Sequence, residues 1–328
     1  NALRLLAAAE VLQGRADAGL ALALQGLDEA RRLGLRGVEA RLLNTLGLAA
    51  GMQGDLVGPL QLDRQSLQIL CETGDRVNEA IGLSNLGIGW LILGDLVQAR
   101  RDLDAALQLL RANGDRVIEG VTLACLSALA LWQGQEARAL ALARQALDIA
   151  VAAQARDNAV LAGLQLGDAE LALGRVAEAR QAYSHAHAGA LEIGSACQHD
   201  ASAGLARVAL AEGDAAAALA ALQPLRDHVA AGGTLDGTQD LRLIELTCHQ
   251  ALARAGDPAA ADWLARAHTA LMAQADAISR DSSQHGADPA LRQGFLSNIP
   301  HHREIVAAWA RRSEVTDWRD TDSQPSKC

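Results

Sequence analysis

Aromatic side chains are scarce in this sequence. Phenylalanine, tyrosine and tryptophan together make up 2% of the 328 residues, although half of the chain is apolar. Alanine and leucine therefore supply the hydrophobicity, and both favour α-helices. Proline occurs only six times, which leaves long stretches without a helix breaker. This composition predicts an all-α protein and contains no signal for a β-sheet.

An excess of basic residues is also missing. The chain has 29 lysines and arginines against 39 aspartates and glutamates, giving a net charge of −10. Binding to nucleic acid or to an anionic membrane surface requires a basic face. The longest apolar runs, such as residues 123–132, are well short of the roughly 20 residues that span a bilayer. We therefore expect no direct nucleic-acid contact from this region and no membrane association.

Closely spaced cysteines are absent as well. The five cysteines are an odd number and lie far apart in sequence, which argues against a disulfide framework. Free thiols fit a reducing cytosol, and the sequence does not start with a signal peptide, so we expect a cytoplasmic protein. Asn1 lacks a preceding methionine and the pattern begins inside a helix. We expect the chain to be part of a longer one.

A 40-residue repeat runs through the first 195 residues. Two glycine series alternate at intervals of roughly 20 residues, with Gln154 standing where one glycine is missing, and leucine and arginine series keep the same step. Each interval has the apolar spacing of a helix, and the glycines fit left-handed helix C-caps. The aspartates that follow fit N-caps. The unit is thus helix, tight turn, helix, tight turn. The series are Gly14, Gly54, Gly94, Gly134 and Gly174; Gly34, Gly74, Gly114 and Gly194; Leu6, Leu46, Leu86, Leu126 and Leu166; Leu27, Leu67, Leu107 and Leu147; Arg36, Arg76, Arg116 and Arg156; and the aspartates Asp55, Asp75, Asp95 and Asp115.

One helical pair of this size buries too little surface to be stable alone, so the pairs must stack on one another. Small residues recur seven positions before the turn glycine and are predicted to let the two helices of a pair approach closely; these are Gly47, Gly87, Ser127 and Gly167. We expect about seven units over residues 1–281 and a capping helix pair over 282–312, with helices at 289–296 and 300–311. Residues 313–328 are charged and aperiodic, which predicts a disordered tail or linker.

The repeat resembles the tetratricopeptide (TPR) family. The positions that match its pattern in order are Leu86, Gly87, Gly94, Asp95, Ala99 and Ala106. The period is 40 rather than 34, and of the family's aromatic residues only Trp90 and Tyr183 stand at the expected places. The long repeats, together with residues 294–309 (GFLSNIPHHREIVAAW), also resemble the C-terminal sensor arms of large bacterial signalling ATPases and transcriptional activators. The resemblance implies an α-α superhelix, a TPR-like solenoid.

In this family the first helix of each pair lines the concave side, which implies a set of candidate binding residues. An apolar groove of this kind favours a helix or an apolar segment of a protein or peptide partner. Leu48, Ile88 and Ile92 are equally open to interpretation as inter-helix core, and Trp132 as an anchor or as a packed core residue. The candidates are Arg41, Asn44, Leu48, Met52, Ile81, Ser84, Asn85, Ile88, Ile92, Ala128 and Trp132.

No motif in the sequence supports a catalytic centre or a cofactor. A phosphate loop and a nucleophile elbow are both missing. A metal site built from His185, His187, Cys197, His199 and Asp200 requires three or four of them to converge, and helix-surface positions explain them more simply. We predict no metal site. His301 and His302, beside Glu304, fit a capped helix start better than a general base.

These observations favour a non-catalytic scaffold for protein–protein interaction, as the regulatory arm of a larger bacterial signalling or transcription-regulating protein. The alternative is a peptide or small-molecule sensor with its ligand in the concave groove, although few aromatic residues are available to stack on a sugar. A further alternative is a structural arm that mediates self-association. The sequence does not identify a partner.

Overall fold

The computed structural model describes the backbone of residues 2–12, 15–285 and 290–321, and the side chains of 2–11, 15–280 and 290–312. Within these ranges all regular secondary structure is α-helical, in sixteen helices. The helices are α1 (Ala2–Leu12), α2 (Ala16–Arg32), α3 (Arg36–Met52), α4 (Gly58–Thr73), α5 (Arg76–Ile92), α6 (Leu96–Asn113), α7 (Arg116–Trp132), α8 (Glu136–Ala152), α9 (Arg156–Ala172), α10 (Val176–Ile193), α11 (Cys197–Ala211), α12 (Ala215–Ala230), α13 (Leu241–Arg254), α14 (Ala260–His285), α15 (Ala290–Ser297) and α16 (Pro300–Thr321).

Helices α1 to α14 form seven hairpins, each packed against the next. Within a hairpin the two helices make extensive contacts, as in α5 with α6 and α9 with α10. The odd-numbered helices also contact one another from repeat to repeat, as α5 does with α7, α7 with α9 and α11 with α13. They therefore form the inner layer of the stack, and the even-numbered helices form the outer layer. The predicted all-α solenoid of helical hairpins is confirmed.

The turns between helices have the predicted conformation. Gly74 and Gly114 end α4 and α6 with φ angles of 67° and 73°. Gln154 has a φ of 54° and is the one residue other than glycine with a positive φ in the described part of the chain. Left-handed backbone favours glycine because it lacks a Cβ. Gln154 therefore adopts the turn conformation of the repeat although it is not a glycine.

Aspartates begin several of the helices, also as predicted. The side chains of Asp75, Asp95 and Asp115 each accept a hydrogen bond from the backbone N–H three residues later, at 3.2, 3.0 and 3.1 Å. Asp55 differs, because its carboxylate accepts from the amides of both Val57 and Gly58. Helix α4 consequently begins at Gly58 rather than directly after the aspartate.

Close helix approach explains the recurring small residues. A Cβ built on Gly87 would lie 2.5 Å from Cγ of Leu103, and one on Gly167 would lie 2.5 Å from Cε1 of Tyr183. Real Cβ contacts are not this short, so the hairpins require glycine there. The Ser127 hydroxyl donates to the Ala139 carbonyl oxygen at 2.8 Å instead. The predicted role is confirmed at Gly87 and Gly167, whereas a Cβ on Gly47 would make only ordinary contacts, the nearest 3.4 Å from Oδ1 of Asp63.

The arginine series has a structural purpose that the sequence did not reveal. Three arginines stand at the first position of an odd-numbered helix. Each pairs with a glutamate three residues later, and this glutamate is buried against the preceding hairpin. The pairs are Arg36–Glu39 at 2.8 Å, Arg76–Glu79 at 2.9 Å and Arg116–Glu119 at 2.5 Å. A buried carboxylate requires such a partner, so the two residues recur together.

The last two helices, here called the C-terminal hairpin (α15 and α16), turn back onto the inner layer. Helix α16 packs against α13 and α14, in line with the predicted capping pair. The end of α15 also reaches the turn between α5 and α6, where the Asn298 side chain donates to the Gly94 carbonyl oxygen at 2.9 Å. Phe295 lies in the same core cluster as Leu91 and Leu93. The hairpin therefore joins the end of the array to its middle.

Helix α16 is longer than predicted. The backbone is helical through Thr321, beyond the predicted end at residue 311 and into residues 313–328, which were predicted to be a disordered tail or linker. No glycine or proline lies between residues 301 and 321, so nothing in the covalent structure stops the helix there. Residues 322–328 of the predicted tail lie outside the described residues. In the described ranges, no helix combines the length and apolar character required to cross a bilayer.

Candidate functional site

The inner helices and the C-terminal hairpin enclose three neighbouring cavities. The first, of about 520 Å³, lies between α3, α4 and α5. The second, of about 430 Å³, lies between α5, α7 and the C-terminal hairpin. The third, of about 440 Å³, lies between α7, α9, α11, α13 and the start of α16. The three cavities are together called the concave groove below.

Most of the candidate binding residues line the first cavity. They are Asn44, Leu48, Met52, Ile81, Asn85, Ile88 and Ile92. Leu48 is 53% exposed, Met52 50% and Ile92 47%. Leu48 and Ile92 are therefore not inter-helix core, whereas Ile88 is half-buried and packs against the central core cluster. The binding role of these residues stays a prediction.

Two candidate residues lie elsewhere. Ser84 is 2% exposed, and its hydroxyl is 3.0 Å from the hydroxyl of Thr122 on α7. The prediction that Ser84 lines the groove is wrong, because Ser84 faces the next inner helix. The hydroxyls of Ser84 and Thr122 satisfy each other there. Arg41 lies outside the three cavities, and its guanidinium is 3.8 Å from the Asp75 carboxylate.

The first cavity contains acceptor oxygens that no protein group satisfies. The side-chain oxygen of Asn44 is buried without a hydrogen-bond partner. Asp63, on α4, is 7% exposed, and no hydrogen bond or ion pair reaches it from the part of the chain that the structure describes. Burial raises the pKa of the Asp63 carboxyl to about 7. Sequence reasoning missed Asp63, although it stands one period before Leu103 in an otherwise apolar series.

The second cavity is partly closed by the C-terminal hairpin. Ala128 and Trp132 line it from α7, and Phe295, Ile299 and His301 line it from the other side. The rings of Trp132 and His301 meet edge to face, with centroids 6.2 Å apart. Trp132 is half-buried, so the side chain considered as an anchor for a partner already contacts the protein's own C-terminal segment.

The hairpin contacts the third cavity through a histidine–carboxylate pair. Nε2 of His301 lies 3.0 Å from the Asp240 carboxylate. Burial opposes the charge of Asp240, but the charge and hydrogen bond of His301 outweigh it and hold the pKa of Asp240 at about 2. Nδ1 of His302 lies 2.8 Å from the Phe295 carbonyl oxygen. Burial, with the neighbouring His301, lowers the pKa of His302 to about 4. His301 and His302, which were predicted to lie at a capped helix start, are therefore buried residues that form contacts at the start of α16.

A buried polar network forms the opposite wall of the third cavity. The Tyr183 hydroxyl donates to the Asp168 carboxylate at 2.6 Å, and Arg207 donates to the same oxygen at 2.7 Å. Burial raises the pKa of Tyr183 well above its usual value, so the hydroxyl remains a donor. The network connects α9, α10 and α11, although Nε of Arg207 is buried without a hydrogen-bond partner.

The residues considered as metal ligands in the sequence do not converge on one site. The ring of His199 packs against that of His228, with centroids 5.1 Å apart, and Cys197 is buried. The Asp200 carboxylate accepts hydrogen bonds from the amides of Gln239 and Asp240. Over the ranges given above, no group of three or more histidine, cysteine, aspartate or glutamate residues has the arrangement that holds a metal ion.

Comparisons with solved structures identify proteins of the same architecture. The structure is similar to aspartyl phosphate phosphatase F from Bacillus subtilis, with a TM-score of 0.61 at 14% identity over 80% of this chain and 67% of that one. It is similar to a Rap protein complexed with competence and sporulation factor, with a TM-score of 0.54 at 15% identity over 83% of this chain and 76% of that one. No protein-family model and no curated protein matches the sequence.

A third similar structure is a signal transduction ATPase with numerous domains from Pyrococcus horikoshii, which has a tetratricopeptide repeat sensor. Its TM-score is 0.51 at 15% identity, over 90% of this chain. This chain spans 44% of that protein. At these identities the matches show the fold alone. The protein has a TPR-like helical repeat fold.

Proposed function

We propose that this protein is a non-catalytic interaction module whose concave groove binds a polypeptide segment. The observation that carries this proposal is the apolar surface of the first cavity, where Leu48, Met52 and Ile92 are each about half exposed. Apolar side chains gathered in one concavity, rather than scattered over the surface, are typical of interaction sites. A helix or extended segment with apolar side chains matches this surface.

We further propose that the module is the regulatory arm of a larger bacterial signalling or transcription-regulating protein. One protein of similar architecture is a signal transduction ATPase with a repeat sensor, and another is a Rap protein complexed with competence and sporulation factor. These likenesses support a role in which binding is coupled to an effector, and we expect that effector in the same polypeptide or in a separate one.

A peptide or small-molecule sensor is the second candidate. The C-terminal hairpin lines both the second and the third cavity, which favours this function because a ligand in either cavity would contact the hairpin. Differential contact with two arrangements of such an element is what allows a ligand to shift a conformational equilibrium. In this case the hairpin would move when the ligand binds.

A peptide selection tests the proposed function. Peptides are selected from a displayed random library on the wild-type protein, and their affinities are then measured for Leu48→Asp and Ile92→Asp. Each substitution places a charge in the first cavity and is expected to weaken the selected peptides at least about tenfold. Val151→Asp is the matched control, because Val151 is 63% exposed on the outer helix α8. Equal affinity for all four proteins would refute binding in the groove.

A further inference from the structure

We propose that the first cavity selects a primary ammonium group on an aliphatic chain, as in a lysine side chain of the bound peptide, with Asp63 as its counter-ion. The inference rests on the proposed function of the groove and specifies the side chain that the groove recognises. It is carried by the burial of Asp63, by the other acceptors that line the cavity and by its apolar wall.

Asp63 is buried and unpartnered, which is unusual for a carboxylate. Buried charges in proteins are normally paired or hydrogen-bonded. Asp102 provides the comparison within this chain, because it is also 7% exposed. Its carboxylate accepts from the indole nitrogen of Trp90 at 3.1 Å and lies 3.7 Å from Arg101. Asp63 has neither kind of partner among the described residues, and it lines an open cavity.

The repeat does not require an acidic residue at this position. At the same place in the following repeats stand Leu103, Ala143 and Tyr183, all fully buried. Leu103 packs onto Gly87 and Tyr183 onto Gly167, as position 63 does onto Gly47. An apolar side chain therefore satisfies the packing of a hairpin, and the carboxylate of Asp63 has no role in it that the geometry reveals.

The cavity also contains further acceptors suited to a cation, beside the side-chain amides of Asn44 and Asn85 and the Thr45 hydroxyl, which donates to the Arg41 carbonyl oxygen. The Asn44 side-chain oxygen is buried and unpartnered, and the Asp55 carboxylate lies at the same cavity. Lysine, arginine and histidine are absent from its described lining. An ammonium group has three donors that can be directed separately, whereas a guanidinium is matched to a single bidentate acceptor. A carboxylate and a separate amide oxygen lining one cavity fit the ammonium better.

The rest of the cavity wall is apolar. Leu48, Met52, Ile81 and Ile88 line it, and they provide a surface for the four methylene groups of a lysine side chain. Lysine commonly buries its stem along such a surface while its charge finds a polar group. The cavity volume of about 520 Å³ leaves room for the neighbouring side chains of the same peptide.

An NMR titration tests this inference with n-hexylamine as the probe, because it has the charge and aliphatic stem of a lysine side chain. n-Hexanol and hexanoate are the neutral and anionic comparisons. The reporter is the ε-methyl signal of Met52, one of two methionines in the chain. We expect n-hexylamine to shift this signal saturably. Both comparison probes should bind at least about tenfold more weakly, the factor expected when a hydrogen bond to a charged group is lost.

Three variants show whether Asp63 is responsible. Asp63→Asn keeps the volume and removes the charge, and Asp63→Leu installs the residue found one repeat later. Both are expected to lose the preference for n-hexylamine, whereas Asp102→Asn is expected to keep it. The inference is overturned if n-hexylamine causes no shift, if n-hexanol binds equally well, or if Asp63→Asn retains the amine affinity. Because the probe needs no peptide, a negative titration removes the cation subsite alone, whereas a failed peptide selection removes the proposed function.

Discussion

The side-chain amide of Asn298 donates a hydrogen bond of 2.9 Å to the carbonyl oxygen of Gly94, which joins residues 204 positions apart in the chain. Gly94 has a φ of 73°. A Cβ built on it would lie 2.5 Å from the carbonyl oxygen of Gly294. The turn between α5 and α6 thus requires glycine both for its backbone conformation and for the close approach of α15.

The substitution Gly94→Ala is expected to release the C-terminal hairpin. Left-handed backbone costs alanine about 1 kcal/mol relative to glycine, and the clash with Gly294 adds roughly 1–3 kcal/mol. Gly114→Ala is the matched control, because Gly114 has the same φ and open space around its Cα. Urea denaturation gives the two losses in stability, and hydrogen exchange of residues 290–299 reports the release. Equal effects of the two substitutions on this exchange would contradict the contact.

Acid is expected to loosen the same hairpin through His302. Its folded-state pKa is about 4, below the ordinary value of 6.5. The unfolded or released segment therefore binds a proton first as the pH falls. The resulting stabilisation of the hairpin, on the order of 3 kcal/mol, is present above about pH 6.5 and is lost as the pH falls towards about 4. Asp240, with its pKa of about 2, contributes a further loss below about pH 4.

Hydrogen-exchange protection factors of α16 measure this acid effect, with α8 as the reference helix. In His302→Gln the side chain retains a hydrogen-bond donor but does not titrate. We expect protection of α16 to fall between about pH 6.5 and about pH 4 in the wild type, and this dependence should disappear in the variant. A wild-type α16 whose protection follows that of α8 across the range would exclude the mechanism.

The repeat architecture could be predicted because its determinants are local and periodic. Gly74 and Gly114 end helices, Asp95 and Asp115 begin them, and a fixed step repeats these signals along the chain. Each signal acts within one hairpin, so the sequence around it contains the whole explanation. The five hairpins up to residue 195 and their turns follow from such positions.

The closure of the groove by the C-terminal hairpin was not predictable in the same way. Asn298 and Gly94 belong to no common period, and nothing near either residue indicates the other. Ser84 was wrongly placed in the groove because its partner, the Thr122 hydroxyl, is 38 residues away and its polarity suggested exposure. Asp63 was detectable in principle, as a charge in an apolar series, but its lack of a partner depends on three-dimensional packing.

Asp63→Leu is expected to stabilise the protein, and more strongly at high pH. The folded-state pKa of Asp63 is about 7, above the ordinary value near 3.9. The wild type therefore gains stability as the pH falls from about 7 to about 4, and the charged carboxylate costs up to ~4 kcal/mol above this range. Urea denaturation at about pH 8.5 and about pH 5 compares the two proteins. The advantage of the variant should be larger at the higher pH, and an equal advantage at both would mean that the carboxylate is not desolvated.

Gln154→Gly is expected to stabilise the protein although it removes a side chain. Gln154 holds a φ of 54° at the end of α8, where a residue with a Cβ is strained by roughly 1–2 kcal/mol. Glycine removes this strain, but its greater conformational freedom in the unfolded chain lowers the gain in stability by about 0.5–1 kcal/mol. The net gain should be near 0.5–1 kcal/mol in urea denaturation. The preceding residue provides the control: Ala153 is exposed with a φ of −83°, so Ala153→Gly should destabilise by about 0.5–1 kcal/mol. Losses of stability in both variants would show that the turn at residue 154 is not left-handed.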